Sequence, residues 1–502
     1  MAKNGGGQGI LERVFHLKEF GTNARTELIA GITTFFTMAY IIFVNPQILS
    51  LTGMDFNGVL MATIIASIVG TLIMAFVANV PYGLAPGMGL NAFFTFTVCF
   101  TMGFTWQQAL ALVLICGVIN IIITFSGLRK AIIRAMPKIL QAAIAGGIGM
   151  FIAYIGFKDL GLFKFTASGP FLSVIPGGSA ITGPVGAVGD TVVGAAANTV
   201  PALVTFSAPS LILGMFGLVL MIILLVRHVK GAILIGILAT TAIGIILDLT
   251  GVLGTPLTGI GNLNFSFASY GSTIGAIQNT AFKLDFAGLF AQPARAMLVV
   301  TAAVGFILTD IFDCIGTFIG TGKKSGIFDD ADWQKFETGR NMGSRLDRAL
   351  VADLSATTVG ALVGTSNTTV YVESSAGIAE GGRTGLTSLV IAALFALCIV
   401  FSPFIQAVPS AATAPALIVV GAMMMSAFVD IDWKKLEIAI PAFLAAVIMP
   451  LSYSITNGIA FGFISYVIVK AVSGKVKEVH PIAWVVSGIF IVNFVLQVVF
   501  KI

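Results

Sequence analysis

Charge is what this chain has least of: only 10% of its 502 residues are Asp, Glu, Lys or Arg, against 57% hydrophobic. Such proportions exclude an ordinary soluble domain. Histidine is equally scarce, and His16, His228 and His480 stand far apart without metal-ligand spacing, so a histidine metal centre is not expected. The four cysteines, Cys99, Cys116, Cys314 and Cys398, all fall in apolar runs and form neither a disulfide framework nor a metal motif. They read as packing residues. The stretch Gly320 to Ser325 lacks the first glycine of a phosphate-binding loop, five residues before Gly322. No resident cofactor is expected. The net charge of +5 is spread over short loops rather than gathered in a patch, which argues against nucleic acid and for membrane lipid as the surrounding partner.

What the chain has in abundance is apolar length. Runs near 28 to 48, 58 to 79, 84 to 101, 106 to 126, 139 to 157, 203 to 226 and 231 to 249 make one series of seven. A second seven follows near 294 to 320, 349 to 364, 369 to 382, 385 to 407, 412 to 428, 436 to 453 and 455 to 472. The longest of these suffice to cross a hydrocarbon core of about 30 Å. With the N-terminus in the cytoplasm, Lys and Arg concentrate in every second loop: Arg13 to Arg25, Arg129 to Lys138, Arg227 and Lys230, Lys323 to Arg348, Arg383, Lys434 and Lys435, and Lys470 to Lys477. That alternation is the positive-inside pattern of a multi-pass membrane protein.

The expected fold is therefore all-α and polytopic, with 14 transmembrane segments as 7+7 inverted repeats, because an odd number of spans per repeat flips the second copy. Residues 1–27 read as a cytoplasmic N-terminal segment without a cleavable leader pattern, 28–250 as the first repeat and 251–293 as an extracellular connector. Residues 294–472 read as the second repeat and 473–502 as a tail, in which Ile482 to Phe500 is apolar enough for a further span or a packed interfacial helix.

The third segment of each series is irregular. In Val80 to Phe96, Pro81 and Pro86 interrupt helical bonding and Gly83, Gly87 and Gly89 weaken it. Gly364 to Gly382 carries a β-branched and aromatic run, Thr368 to Val372, before small residues. A short strand feeding a half-helix fits both. Irregular backbone at membrane depth lines a cavity or is buried in protein, and two such segments in matching positions point to a transporter's binding site.

Four polar residues lie where this reading puts the site. Asp310 and Asp313 are three apart on one face of the eighth segment. Glu373 follows the strand-like run, and Asn91 occupies the matching broken segment of the first half. Intramembrane carboxylates are costly and mark a functional cavity. Together the groups suit a flat neutral heterocycle with ring N–H groups, since carboxylates accept such bonds and an amide answers a carbonyl or ring nitrogen. A carboxylate able to take a proton would couple uptake to the proton gradient, with Asp310, Asp313 or Glu373 as candidates.

The stretches GTNARTELIAGITTFFTMAYIIFVNPQIL (21 to 49), LAPGMGLNAFF (84 to 94), FDCIGT (312 to 317), GTSNTTVYVESSAGIAEGGRTGLT (364 to 387) and MPLSYSITNGIAFGFISY (449 to 466) resemble the AzgA-like purine permeases, a branch of the nucleobase–cation symporters. The resemblance runs along almost the whole chain. It implies a core domain and a gate domain, with short antiparallel strands in segments 3 and 10 and the substrate between those strands and segment 8. It further implies Asp313 and Glu373 as the principal base-binding carboxylates, Asn91 as a third contact, Asp310 in coupling or support, and a homodimer formed through the gate. The long outer loop from 158 to 200 is richer in Gly, Ala and Thr than the resemblance leads one to expect.

The expected function is import of a purine nucleobase (hypoxanthine, guanine or adenine) across the plasma membrane with a proton, by an elevator or rocking movement of core against gate. An anion carrier of the same fold is the alternative within transport, although two carboxylates repel an anion and no intramembrane Lys or Arg offsets them. An intramembrane aspartyl hydrolase using Asp313 is a further alternative, but its Gly-x-Gly-Asp context is absent.

Overall fold

The structure, a computed structural model, describes residues 10–126, 137–167, 199–251, 256–259, 267–292, 295–323, 325–338, 343–405 and 407–500. The basic residues Arg129, Lys130 and Arg134, most of the outer loop 158–200 and parts of the connector 251–293 lie outside them.

Each apolar run becomes a helix or a strand and helix, bounded by polar caps that the hydrophobic pattern only hints at. The first is split into α1 (Ala24–Met38) and α2 (Ile41–Ser50). Pro46 in α2 has no N–H to bond the carbonyl of Ile42, and the chain at the break tightens into turns, Ile42 N–H to Ala39 O at 3.2 Å and Phe43 N–H to Tyr40 O at 3.1 Å. Next come α3 (Phe56–Ile73), which Asp55 caps through the Gly58 N–H, strand β1 (Leu84–Pro86), α4 (Met88–Ala92) with a π-helical continuation to Thr101, and α5 (Trp106–Phe125), closed by a Thr105/Gln108 capping box.

After α6 (Lys138–Asp159), β2 (Phe163–Ala167) pairs antiparallel with β3 (Thr199–Leu203), and α7 (Pro209–Val226) and α8 (Ala232–Thr250) follow. The second half contains α9 (Ala296–Thr317), α10 (Arg345–Val363), strand β4 (Thr368–Val370), α11 (Ser374–Ala379) and α12 (Gly385–Cys398). It ends with α13 (Ser410–Met424), α14 (Leu436–Ser452), α15 (Ile455–Val472) and α16 (Pro481–Phe500). The apolar tail is thus a helix, and it packs on α15 and α9. Among the described residues nine helical stretches are long and apolar enough to cross a membrane, and shorter apolar helices accompany them.

Two sets of helices pack chiefly among themselves. In one, α3 and α5 flank α10, α1 and α3 hold α12, and α9 lies on α5. Small residues make these crossings close: a Cβ on Gly117 would come within 2.9 Å of the Thr358 hydroxyl, and one on Gly31 within 2.6 Å of Val390. In the other, α6 crosses α13 and α14, α7 and α8 pack on α13, and α14 pairs with α15. There a Cβ on Gly149 would stand 2.6 Å from the Gly421 carbonyl, so the two backbones nearly touch.

The strands expected in the two broken segments are present and pair with each other. β1 and β4 run antiparallel, with Leu84 opposite Val370, Ala85 opposite Thr369 and Pro86 opposite Thr368, and all six residues are buried. A two-stranded sheet leaves two open edges, which hydrocarbon does not tolerate, and side chains close both. On the β1 edge the Thr71 hydroxyl of α3 takes the Leu84 N–H at 3.0 Å and reaches its carbonyl at 3.2 Å. On the β4 edge the buried Asp353 of α10 accepts the Val370 N–H at 2.9 Å, and Thr357 donates to the Thr368 carbonyl at 2.7 Å.

Replacing Asp353 by Ala leaves the Val370 N–H buried without this acceptor, at a cost of about 1–3 kcal/mol. Thermal unfolding in detergent is expected to show a lowered Tm for Asp353→Ala, most of it recovered in Asp353→Asn, which keeps an acceptor oxygen.

Candidate functional site

The paired strands set the positions of the acidic residues. Thr369 in β4 turns its hydroxyl toward α9, where it donates to Asp313 Oδ2 at 3.3 Å. Three residues beyond β4 the chain turns into α11, and Glu373 occupies the position that caps that helix. Its Oε1 accepts the phenol of Tyr40 at 2.7 Å, while its main-chain carbonyl takes the Thr37 hydroxyl at 3.3 Å. The first segment therefore grips Glu373 at both its backbone and its carboxylate.

Asp313 and Glu373 are each partly exposed, whereas the strand between them is fully covered. They lie close enough to act electrostatically on one another. The bonds they make differ in strength. An O–H to carboxylate bond of 2.7 Å is short, while one of 3.3 Å is at the long end of the range, so Asp313 keeps more of its accepting capacity than Glu373. Among the described residues no Lys or Arg pairs with either.

Asn91 in α4 is buried beside the chain that leads into β4. Its Oδ1 accepts the hydroxyl of Ser366, just ahead of β4, and its Nδ2 has Met88 Sδ at 4.0 Å. Sulfur is a weak acceptor, which leaves the amide with donor capacity. Asp310, one turn before Asp313, is fully buried and turned to α5, where Asn120 donates to its Oδ2 at 3.0 Å. The structure thus gathers Asp313 and Glu373 around β4, ties Asn91 to the chain leading into it, and directs Asp310 at a neighbouring helix.

Several polar residues of consequence escaped the sequence reading. Tyr40 hides in an apolar run because a phenol counts as hydrophobic. Asp353 carried the same signal as Asp313, an acid within an apolar stretch, and has a structural use. Glu27, also fully buried, accepts the N–H groups of Arg383 (2.9 Å), Thr384 (3.3 Å) and Thr387 (3.2 Å) and the Thr387 hydroxyl (2.6 Å). It caps α12 from α1, a favourable place for a carboxylate.

Gly87 lets β1 lie close to this cluster. A Cβ there would stand 2.5 Å from Thr369 Cγ2 and would push Thr369 from Asp313. Gly87→Ala is expected to cut the transport rate about tenfold, the equivalent of ~1.4 kcal/mol, at unchanged abundance in the membrane, as read by uptake and immunoblot.

The comparisons with known proteins follow the same lines. The model of a permease family, Xan_ur_permease, matches residues 25–188 and 182–461. A guanine/hypoxanthine permease of Bacillus subtilis, PbuO, is 40% identical over 96% of this chain and 99% of its own. An adenine permease of Escherichia coli, AdeP, is 36% identical over 97% of each, and a putative permease of Methanocaldococcus jannaschii is 41% identical over 97% of this chain and 98% of its own. Among solved structures, the transmembrane domain of the cyanobacterial bicarbonate transporter BicA superposes with a TM-score of 0.57 at 16% identity, covering 89% of this chain and 98% of that one. The murine anion transporter Slc26a9 in its inward-facing state gives 0.56 at 10% identity, over 94% and 74%. At such low identity these two show the fold alone. The chain belongs to the permease family, as a multi-pass membrane transport protein and not an enzyme.

Proposed function

We propose that the protein imports purine nucleobases, hypoxanthine, guanine or adenine, together with a proton. The observation that carries this reading is that Asp313, bonded to Thr369 of β4, and Glu373, just beyond the end of β4, act on one another, are both partly exposed and are both answered by neutral hydroxyls. Two acceptors without a cation fit the N–H edge of an uncharged base. PbuO is a guanine/hypoxanthine permease and AdeP an adenine permease, which agrees with that chemistry.

In this reading the base lies between α9 and the strand pair, with Asp313 and Glu373 as its carboxylate contacts and Asn91 donating to a carbonyl or ring nitrogen. Asp310, held by Asn120, supports α9 or takes part in proton coupling. The fourteen segments form two inverted sevens. The set built on α3, α5, α10 and α12 is a core that carries the base, and the set built on α6, α13 and α14 is a gate through which two copies dimerise. The N-terminus lies in the cytoplasm and the membrane is the plasma membrane. BicA is a bicarbonate transporter and Slc26a9 an anion transporter, but an anion at this site would face two carboxylates that no Lys or Arg pairs with among the described residues.

Uptake of radiolabelled hypoxanthine and adenine into cells expressing the protein tests the reading. Uptake is expected to collapse with a protonophore, and to fall by more than about tenfold in Asp313→Asn and Glu373→Gln, since an unmatched buried polar contact costs roughly 2–5 kcal/mol. Full uptake by both variants, or full uptake of sulfate or bicarbonate in place of purines, would refute it.

A further inference from the structure

We propose that Tyr40 is a positioning residue for Glu373, holding one carboxylate oxygen so that the other meets the substrate and staying bonded whether or not Glu373 carries a proton. This rests on the reading of Glu373 as a substrate-contacting carboxylate.

The break in the first segment is what makes the contact. Ala39 and Tyr40 lie between α1 and α2 in a tightened turn, and this places the phenol at the level of β4 with the ring only 1% exposed. The 2.7 Å bond to Oε1 has the length of a donor to a charged oxygen. Thr37, one turn earlier, bonds the Thr34 carbonyl of its own helix at 2.7 Å and lies 3.3 Å from the Glu373 carbonyl, so α1 packs directly against the backbone of Glu373.

Tyr371 lies nearby, its ring tilted 51° to that of Tyr40 with centroids 6.4 Å apart, but its hydroxyl is committed to the Pro86 carbonyl at 2.6 Å. The two phenols thus have separate tasks. One ties β1 to the strand end; the other serves the carboxylate. The titratable groups that face Glu373 are Tyr40 from the first segment, Tyr371 on its own strand and Asp313 from α9.

A lysine or arginine in the place of Tyr40 would hold Glu373 as an anion. A phenol donates to a carboxylate and accepts from a carboxylic acid, so its bond survives the change of protonation that proton-coupled transport requires. The hydroxyl favours the charged form only by the difference between a bond to a carboxylate and one to a carboxylic acid.

The test compares the pH profiles of hypoxanthine uptake by the wild type, Tyr40→Phe, Tyr371→Phe and Glu373→Gln, with hypoxanthine-induced thermal stabilisation of the purified proteins over the same pH range. Phe keeps the ring and removes only the donor. Tyr40→Phe is expected to move the profile toward higher pH by about one unit, whereas Tyr371→Phe lowers uptake without moving it. In a Glu373→Gln background, Tyr40→Phe should have no further effect on the profile. Should Tyr40→Phe transport too little to measure, the stabilisation profile decides by the same criterion. A Tyr40→Phe profile superimposable on the wild type, with Glu373→Gln inactive or pH-insensitive, would overturn the role of Tyr40 while leaving the site intact. A Glu373→Gln variant with wild-type uptake and wild-type pH profile would overturn the reading of the site itself.

Discussion

A strand inside a membrane must find partners for every backbone N–H and carbonyl it exposes, and the centre of this molecule is organised by that requirement. β1 and β4 satisfy one edge of each other, and Thr71, Asp353 and Thr357 satisfy the outer edges. Two of the three helices most central to one helix set, α3 and α10, are thereby tied to the strands, with the third, α5, lying along α10. Removing the strands would free no stability; it would leave a row of polar groups in hydrocarbon, each costing several kcal/mol.

The same constraint produces the site. Because the chain emerges from β4 in a turn before α11 can begin, the first helical turn and the residues just ahead of it face outward from the sheet, and Glu373 stands there. Because β4 alternates its side chains, Thr369 points to α9 and meets Asp313, while its neighbour Thr368 turns its hydroxyl to Gly360 of α10. Carboxylates bonded to hydroxyls remain good acceptors for further N–H groups and can exchange a proton. Partners of fixed positive charge would have prevented both.

Much of this was legible in the residues themselves. The apolar runs gave the helices, and the Pro and Gly residues of Val80 to Phe96 with the β-branched run at Thr368 announced the strands, because those residue types disfavour a straight helix whatever surrounds them. Scarcity of charge made Asp313 and Glu373 conspicuous. What stayed hidden depended on contacts between residues far apart in sequence. Nothing local distinguishes the buried Asp353, which braces a strand, from the partly exposed Asp313; nor does the run FFTMAYIIF reveal that the phenol of Tyr40 reaches Glu373, 333 residues away. Their spacing puts Asp310 and Asp313 near one another on the helix surface, but a rotation over three residues is enough to give them different neighbours, Asn120 for one and Thr369 for the other.

An experimental structure with hypoxanthine or adenine bound tests the central claim most directly. The account predicts the ring between α9 and the β1–β4 pair, with its N–H edge within hydrogen-bond distance of both Asp313 and Glu373. A base bound elsewhere in the protein, or seated there with those two carboxylates turned away from it, would contradict the account.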